Sequence, residues 1–355
     1  KYNKPETPGF DWEPDMQDDF EFKQISATAR VYTMATYVDF DSPGPVKHTE
    51  GFELGSDKMP RMKHEFNIDE AKIRLHMQAL QQFGVFSERM AQSVENLLFE
   101  STDMLLGGNY NSLKFQRHQA VSKGQFDIIA ENNPQGITGV SIDFHVPGKN
   151  RWEIAWWKKD GTLNTGITPL EDLKNKVTYI RQTCYAPVDH IEVNKITWDK
   201  FIMIPAVRQS LGYIKNPLVT TADAAVQIGV SLLDDEMKVL VEKYVGAPIT
   251  IIDSVSVVEK FDKKTRTVST PTLQSFDENV FVFVPSSRIG TIKAVTPIVI
   301  NDPAARIAFY DEGRTVITQT FDAYNKVQKI SSELTALCVP NVVRQMYYLT
   351  VKASK

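Results

Sequence analysis

The sequence predicts an α+β fold for this chain of 355 residues. Apolar residues recur at helical spacing over Ile68–Leu106, a stripe much longer than the mean helix. Helix-start signals follow in the middle of the chain, whereas apolar and polar residues alternate as in strands over Thr28–Phe40 and Arg314–Lys352. Helices in the middle with strands at both ends predict a sheet assembled from distant pieces of the chain.

Composition indicates a globular protein. With 42% hydrophobic and 24% charged residues, the chain can bury a sizeable core in one or two domains. Its formal net charge of -4 argues against a surface that coats nucleic acid or an anionic membrane throughout. No apolar run in the sequence reaches the length of a membrane span. Cys184 and Cys338 fit neither a disulfide framework nor a four-ligand zinc site, which suits a reducing compartment.

The N-terminal segment, Lys1–Ala27, is predicted to be an arm. Between Pro5 and Phe22 it holds seven acidic residues and no basic one. Prolines in the same stretch discourage regular structure, so a solvated terminus is one interpretation. Aromatic side chains in such a segment favour the other interpretation, docking onto a neighbouring molecule. The aromatic candidates for this contact are Trp12, Phe20 and Phe22.

Residues 28–66 are predicted to form an extended β-hairpin. The strand Thr28–Phe40 carries apolar groups on both faces, and a more polar limb returns to Asn67 after a turn at Ser42–Pro45. A long two-stranded arm with few residues to cover it needs a partner surface. Its candidates for contact with a neighbouring subunit are Tyr32, Met34 and Phe40. The return limb adds Lys58, Arg61 and Lys63, which are either solvated or paired with acidic residues of an adjacent subunit.

The longest predicted helix follows this hairpin. Asn67 as N-cap and Glu70 three residues later resemble a capping box, which predicts that the helix starts at Ile68. Gly107 and Gly108 predict its end after Leu106. A continuous helix over this stretch would be about 60 Å long at 1.5 Å per residue, which is typical of an extended protein.

Three of the five tryptophans, Trp152, Trp156 and Trp157, lie close together after a predicted strand at Val140–Phe144. They favour a core or an interface, with a stacking platform for sugars or bases as the alternative. Thr168 with Pro169 then predicts a helix start. The buried face of that helix is predicted to be Leu170, Leu173, Val177 and Ile180.

Further helices and strands are predicted downstream. Thr197 is a candidate cap for a short helix, Pro205 restarts a helix that Gly212 ends, and Ser231 with Asp234 opens another. Gly246 and Pro248 end that last helix, before strands at Ile249–Lys260 and Val280–Val284 on either side of a charged turn near Lys263.

Catalytic and metal-binding patterns are weak. Cys184 lies near Asp189 and His190, the residue types of a thiol nucleophile and its base. Asp143 with His145, or His190 with Glu192, supplies two ligand types but no evident third or fourth. We therefore predict no enzyme activity, no catalytic residue, no cofactor and no metal.

Five segments together resemble the major capsid proteins of tailed bacteriophages, specifically the lambda-type major head protein family. Their order and spacing match from about Thr28 to the C-terminus. Each motif alone has low specificity, and their succession carries the resemblance. The segments are QGITGVSIDFHVP (Gln135–Pro147), WWKKDGTLNTGITPLEDL (Trp156–Leu173), TWDKFIMIPAVRQSLGY (Thr197–Tyr213), FVFVPSSRIGTIKAVTPIVINDPAARIAFYDE (Phe281–Glu312) and VQKISSELTALCVPNVVRQMYYLTV (Val327–Val351).

The resemblance implies the Hong Kong 97-type capsid fold. That fold has an N-terminal arm, an extended loop, a peripheral domain on a long spine helix, and an axial domain. These parts correspond here to residues 1–27 for the arm, 28–66 for the loop, 67–167 for the peripheral domain with its spine helix, 168–313 for the axial domain, and 314–355 for a return to the peripheral sheet.

The resemblance also implies a function. Copies of the chain are expected to assemble, as hexamers and pentamers, into an icosahedral head shell that encloses double-stranded DNA. The shell is expected to form in the host cytoplasm, to expand from a precursor, and to become part of the virion. Expected partners are portal, scaffold and decoration proteins, with weak or no sequence-specific DNA contact and no membrane. The alternative is an aromatic-rich carbohydrate- or host-binding module, and a hydrolase is a third interpretation.

Overall fold

The α+β prediction is confirmed by the elements of the computed structural model. The structure describes residues 6–26, 53–69, 74, 88–134, 136–158, 162–262, 265, 267–297, 305–322 and 327–353. The predicted strand Thr28–Phe40, with Tyr32, Met34 and Phe40, lies outside these residues, as does most of the charged turn near Lys263.

Helices and strands alternate irregularly along the described residues. The helices are α1 (Glu88–Lys123), α2 (Pro169–Gln182), α3 (Lys195–Ile202), α4 (Pro205–Lys215), α5 (Ala222–Ser231) and α6 (Asp234–Val245). The strands are β1 (Phe10–Trp12), β2 (Glu21–Ser26), β3 (Glu53–Lys58), β4 (Arg61–Asp69), β5 (Gln125–Ile128), β6 (Val140–Asp143), β7 (Arg151–Trp157), β8 (His190–Asn194), β9 (Ile249–Ile252), β10 (Val255–Val257), β11 (Lys260–Asp262), β12 (Thr267–Ser269), β13 (Thr272–Gln274), β14 (Val280–Val284), β15 (Gly290–Ala294), β16 (Ala305–Tyr310), β17 (Thr315–Asp322), β18 (Val327–Pro340) and β19 (Tyr347–Ala353).

The chain divides into two compact units. Unit 1 consists of Lys1–Phe22, Ser56–Arg117 and Thr291–Val339. Unit 2 consists of Lys23–Gly55, His118–Gly290 and Pro340–Lys355. Each unit therefore combines pieces of chain that are far apart in sequence, as predicted for a sheet assembled from distant segments.

Unit 1 is built on a sheet with the strand order β1-β15-β18-β17-β16, in which β4 also pairs with β18. The pairs of β4, β16 and β17 with their neighbours are antiparallel. One face of this sheet packs against α1, where Leu105 and Leu106 meet Ile317 and Ile330 in a buried cluster. The sheet and helix thus share one small core.

Unit 2 contains a five-stranded mixed sheet with the order β7-β19-β14-β8-β9. The outer pairs β7–β19 and β8–β9 are parallel, and the inner pairs are antiparallel. Its largest core cluster joins Phe281 and Phe283 of the sheet to helix residues such as Leu173, Phe201 and Val241. Two-stranded pairs β2–β3, β5–β6, β10–β13 and β11–β12 complete the topology.

The long helix exists, but its predicted bounds are wrong. Asn67 and Ile68 lie in β4, opposite Lys329 and Gln328 of β18, so no helix starts there. Pairing with a strand about 260 residues away overrides the local capping signal. α1 also continues past Gly107 and Gly108 to Lys123.

Gly108 explains part of that continuation. A Cβ atom at Gly108 would lie 3.0 Å from Cε1 of His64, so the glycine lets β4 approach the helix closely. The helix then buries a further stretch that includes Leu113 and Val121. Burial of such side chains outweighs the cost of about 1 kcal/mol for glycine in a helix. Gly124, with φ +70°, follows the true end.

Three predicted helix boundaries in the middle of the chain are wrong. Asn194, and not Thr197, caps α3, because its Oδ1 accepts a hydrogen bond from Ile196 N at 2.8 Å. Ser231 is the last residue of α5, and α6 begins at Asp234. Gly212 lies inside α4, where its role is in packing.

The crossing of α4 and α5 depends on that packing. A Cβ atom at Gly212 would lie 1.9 Å from Ala225 O, and one at Gly229 would lie 2.1 Å from Arg208 O. The two glycines therefore let the helix backbones touch. No side chain larger than hydrogen fits at either position.

Other predicted elements are confirmed. α2 follows Thr168 with Pro169 in its first turn, and it buries the four predicted residues Leu170, Leu173, Val177 and Ile180. Gly246, with φ +81°, ends α6. The predicted strands near Val140 and Val280, and those within Arg314–Lys352, are also present.

Candidate assembly surfaces

The N-terminal segment forms part of its own subunit's sheet from Phe10 onwards. Glu13 N donates to Ile292 O and Gln17 N donates to Ala294 O, each at 2.9 Å. β1 is thereby paired with β15. The part of the predicted arm that the structure describes is therefore attached within the same chain at these residues.

Arg314 holds this segment in place. Its buried guanidinium donates hydrogen bonds to Glu13 O at 2.6 Å and Pro14 O at 3.1 Å. It also donates to Glu312 Oε2 at 2.7 Å, and it lies 5.3 Å from the ring centroid of Trp12. Because a buried charge needs partners on several sides, Arg314 fixes the segment to the turn that precedes β17.

That turn is also attached to α1. Asp311 and Glu312 both have positive φ, and Gly313 completes the reversal between β16 and β17. Asp311 accepts hydrogen bonds from Tyr110 of α1 and from Thr315, each at 2.7 Å. Burial, together with the adjacent carboxylate, raises the pKa of Tyr110. The turn therefore connects the N-terminal segment, the sheet and the helix of unit 1.

β4 lies along α1 through every second side chain. Met62 Sδ accepts from Gln116 Nε2 at 3.7 Å, His64 faces Gly108, and Phe66 packs on the cluster around Leu105. The alternate residues of β4 are exposed and charged. They form ion pairs with β18, between Arg61 and Glu333, and between Glu65 and Lys329 at 3.9 Å.

The predicted contact residues are placed as follows. Phe20 is 52% exposed, whereas Phe22 is 2% exposed and Trp12 is half-buried. Lys58, Arg61 and Lys63 are exposed. Arg61 pairs with Glu333 of its own chain.

The acidic segment and the basic limb meet inside one subunit. Phe20 O accepts a hydrogen bond from Met59 N at 2.8 Å, which brings the chain around Asp19 beside the chain around Lys58. Pairing of these opposite charges within the subunit is therefore geometrically available, in addition to the pairing between subunits that the sequence suggested.

The tryptophans belong to the core of unit 2. Trp156 is fully buried, and its Nε1 donates to Asp172 Oδ2 at 2.9 Å. Burial raises the pKa of Asp172, although this hydrogen bond opposes the shift. Trp152 stacks on Tyr347 at 5.3 Å between ring centroids, and Lys176 Nζ lies 4.5 Å from its ring. Trp156 and Trp152 thus present no open ring face to a sugar.

The candidate catalytic residues do not form a nucleophile–base pair. Cys184 is hydrogen-bonded to Tyr347. The two ring nitrogens of His190 are hydrogen-bonded with Asp189 at 2.8 Å and Glu192 at 3.3 Å. Burial opposes protonation of His190, but Glu192 and Asp189 outweigh it and raise the pKa. Both nitrogens are therefore occupied by carboxylates.

The candidate metal ligands remain pairs. His145 Nδ1 lies 3.6 Å from Asp143, and both side chains are largely exposed. Among the described residues, no three or more His, Cys, Asp or Glu side chains are grouped as a metal site.

Two residues that shape unit 1 were missed at the level of sequence. The contact between His64 and α1 could not be predicted from the sequence. Gly108, which faces the His64 ring, was predicted to lie just after the end of the helix. Arg314 follows the run Asp311–Gly313, a turn signal between two alternating strands. That signal predicts the hairpin, but not the burial of the arginine.

Burial lowers the pKa of His64 below its ordinary value of 6.5. The unfolded chain therefore binds a proton more readily than the folded chain, and the free energy of unfolding should decrease as the pH falls through about 6.5. Replacement by glutamine should remove this contribution. Denaturant titrations from pH 8 to pH 5 should show the wild type losing stability relative to His64→Gln. The exposed His145→Gln serves as control, and parallel curves for wild type and His64→Gln would contradict the assignment.

No helix in the described part of the chain is both long and apolar enough to cross a membrane. Comparison with protein-family models matches residues 19–288 to the phage major capsid protein E family. A comparison with curated proteins gave no match.

Solved structures similar to this chain include three phage capsid proteins. A prophage capsid protein from E. coli CFT073 has a TM-score of 0.46 and 12% identity, over 85% of this chain and 80% of that one. The capsid of Myoviridae phage XM1 has a TM-score of 0.43 and 10% identity, over 97% and 90%. The capsid of cyanophage A-1(L) has a TM-score of 0.46 and 10% identity, over 96% and 89%.

Proposed function

Since the chain belongs to the phage major capsid protein E family, we propose that its copies assemble as hexamers and pentamers into a closed icosahedral shell around double-stranded DNA. The family match over residues 19–288 is the observation that carries this function. It also agrees with the resemblance and the capsid-protein fold class predicted from the sequence. As a major capsid protein, the chain is located in the capsid of the virion.

The surfaces of unit 1 support a role in a lattice. Exposed charges along β4 and β18 suit contacts that are individually weak and reversible, because exposed ion pairs contribute at most about 1 kcal/mol each. Summed over a closed shell, many such contacts are sufficient to hold the subunits together, and they can still be rearranged. We assign this exposed face, together with Phe20, Lys58 and Lys63, to contacts between subunits.

The five-part division remains part of the proposal. We assign residues 1–27 to the arm, 28–66 to the extended loop, 67–167 to the peripheral domain, 168–313 to the axial domain and 314–355 to the returning strands. Attachment of β1 to β15 supports a shorter free arm, because the segment from Phe10 is engaged in its own subunit. Glu6 and Pro8 are also bonded to α1, to Lys114 Nζ at 2.7 Å and to Arg117 Nε at 3.1 Å, so the described arm is engaged with its own subunit upstream of Phe10 as well.

The proposed partners follow from shell assembly. A formal net charge of -4 supports weak contact with packaged DNA, because few phosphates would be neutralised. Portal, scaffold and decoration proteins are expected partners of the shell. We propose no catalytic activity and no cofactor. The hydrogen bonds of both His190 ring nitrogens with carboxylates argue only against a Cys184–His190 nucleophile–base pair.

Sedimentation and negative-stain microscopy of the expressed chain test this function. Closed shells, sheets or rings of five and six subunits are expected for the wild type. A variant with residues 28–52 replaced by a short Gly-Ser turn should stay folded by circular dichroism and lose the assemblies. A wild-type chain that stays monomeric at every concentration would contradict the shell role.

A further inference from the structure

β16 is the outermost strand on one side of the sheet in unit 1, as far as the structure describes that sheet. Among the strands that the structure describes, it ends the sheet order and pairs with β17 alone. Its six residues contain no proline and a single charge, Arg306. Proteins usually protect such edges with prolines, several charges or bulges. Arg306, Ala308 and Phe309 are exposed, and Phe309 is 57% exposed.

The register with β17 assigns the side chains of β16 to the two faces of the sheet. Ala308 lies opposite Ile317, which belongs to the cluster packed on α1. Tyr310 packs against the same cluster. Because side chains alternate along a strand, Arg306, Ala308 and Tyr310 share the α1 face, and Ile307 and Phe309 share the outer face.

We propose that β16 pairs antiparallel with β16 of a second copy of this chain, about a two-fold axis at Ala308. This inference rests on the proposed function, since a shell supplies many identical copies. The axis is perpendicular to the sheet, so both copies keep α1 on the same side. A two-fold contact is self-complementary, and each pair therefore occurs twice.

The sequence of β16 is complementary to itself in this register. Phe309 lies opposite Ile307 of the second copy on the outer face, which gives an aromatic–aliphatic pair. Arg306 lies opposite Tyr310 of the second copy on the α1 face, where a guanidinium and an aromatic ring attract each other. Arg306 is also brought next to the acidic turn of the second copy at Asp311 and Glu312, and Glu312 has a side-chain exposure of 84%. The side-chain pairs on the two faces therefore favour the same register.

Other registers lose these pairs. A shift by one residue would place the two copies of α1 on opposite faces of the joined sheet. A shift of the axis to residue 309 would place Phe309 opposite itself and Ile307 opposite the charged Asp311. The axis at Ala308 is the register that keeps both favourable pairs within the strand.

Disulfide trapping tests the axis directly. In a Cys184→Ser background, Ala308→Cys would bring two thiols together at the axis, within the 4.4–6.8 Å between Cα atoms that a disulfide needs. Arg306→Cys is the matched control, because its two copies would be about 13 Å apart along the antiparallel strands. Cys338 is fully buried and stays unchanged. Mild oxidation of assembled A308C should yield covalent dimers, and oxidation of R306C should not.

A second pair of variants tests the contact without cysteine. Phe309→Asp should lower the yield of assemblies at least tenfold, whereas Val268→Asp, at a residue that is also 57% exposed, should leave it unchanged. Circular dichroism should show both variants folded. The two-fold contact would be overturned if A308C formed shells but no covalent dimer on oxidation, or if R306C formed the dimer equally well. Either result would leave the shell role intact. A Cys184→Ser parent without any assembly would overturn the shell role and the contact with it.

Discussion

Replacement of Trp156 by alanine should lower the free energy of unfolding of unit 2 by about 3–5 kcal/mol. The indole is fully buried, with ring centroids 5.6 Å from Phe201 and 5.9 Å from Phe281. Truncation leaves a cavity between sheet and helices, and it removes the donor that Nε1 provides to Asp172. Trp156→Phe should cost less, because it retains an aromatic ring in the site and loses mainly the hydrogen bond.

Urea titration followed by tryptophan fluorescence measures this effect, because four of the five tryptophans lie in unit 2. Half-buried Trp157→Ala is the comparison, and it should cost clearly less. A loss below about 1 kcal/mol for Trp156→Ala would contradict its role in the core.

Trp156→Ala also distinguishes a capsid subunit from a sugar-binding module. A sugar-binding platform would lose ligand and keep its stability, whereas a capsid subunit should become unstable and assemble poorly.

Replacement of Gly212 by alanine should destabilise unit 2 by about 3 kcal/mol or more, at the upper end of the overpacking range. Its new methyl group would meet Ala225 O at 1.9 Å, and a helix backbone, unlike a flexible side chain, cannot turn aside. α4 and α5 must then move apart.

Gly107→Ala is a matched control inside another helix. A Cβ atom there would have nothing within 4 Å, so this variant should gain about 0.5–1 kcal/mol from helix propensity. Thermal unfolding of the two variants should therefore shift in opposite directions. Equal shifts would show that close contact of the α4 and α5 backbones is not what requires glycine at residue 212.

Local signals in the sequence were sufficient where the neighbours in sequence decide the structure. Thr168 and Pro169 mark the start of α2, and its buried face follows from helical spacing alone. Gly246 ends α6 for the same reason, since a left-handed residue is needed at that position. The resemblance to capsid proteins, confirmed by the family match, depended on the order of many such segments.

At other positions, contacts with residues distant in sequence override the local capping and helix-stop signals. Asn67 looks like a helix cap until β18 pairs with it, and Gly212 looks like a helix stop until α5 packs on it. The contacts predicted between subunits stay predictions; within the subunit, Phe22 is buried and Arg61 pairs with Glu333. Sequence alone cannot separate an aromatic residue that serves its own subunit from one that serves a neighbour, because both need the same apolar surface.

The place of β19 also affects how unit 2 folds. β19 lies between β7 and β14 inside its sheet, and it pairs with β7 across about 200 residues of sequence. Closing this sheet therefore requires contacts between residues far apart in sequence, and such contacts form slowly. Until β19 has joined β7 and β14, unit 2 is expected to expose apolar strand surface, so its folding intermediates should be prone to aggregation.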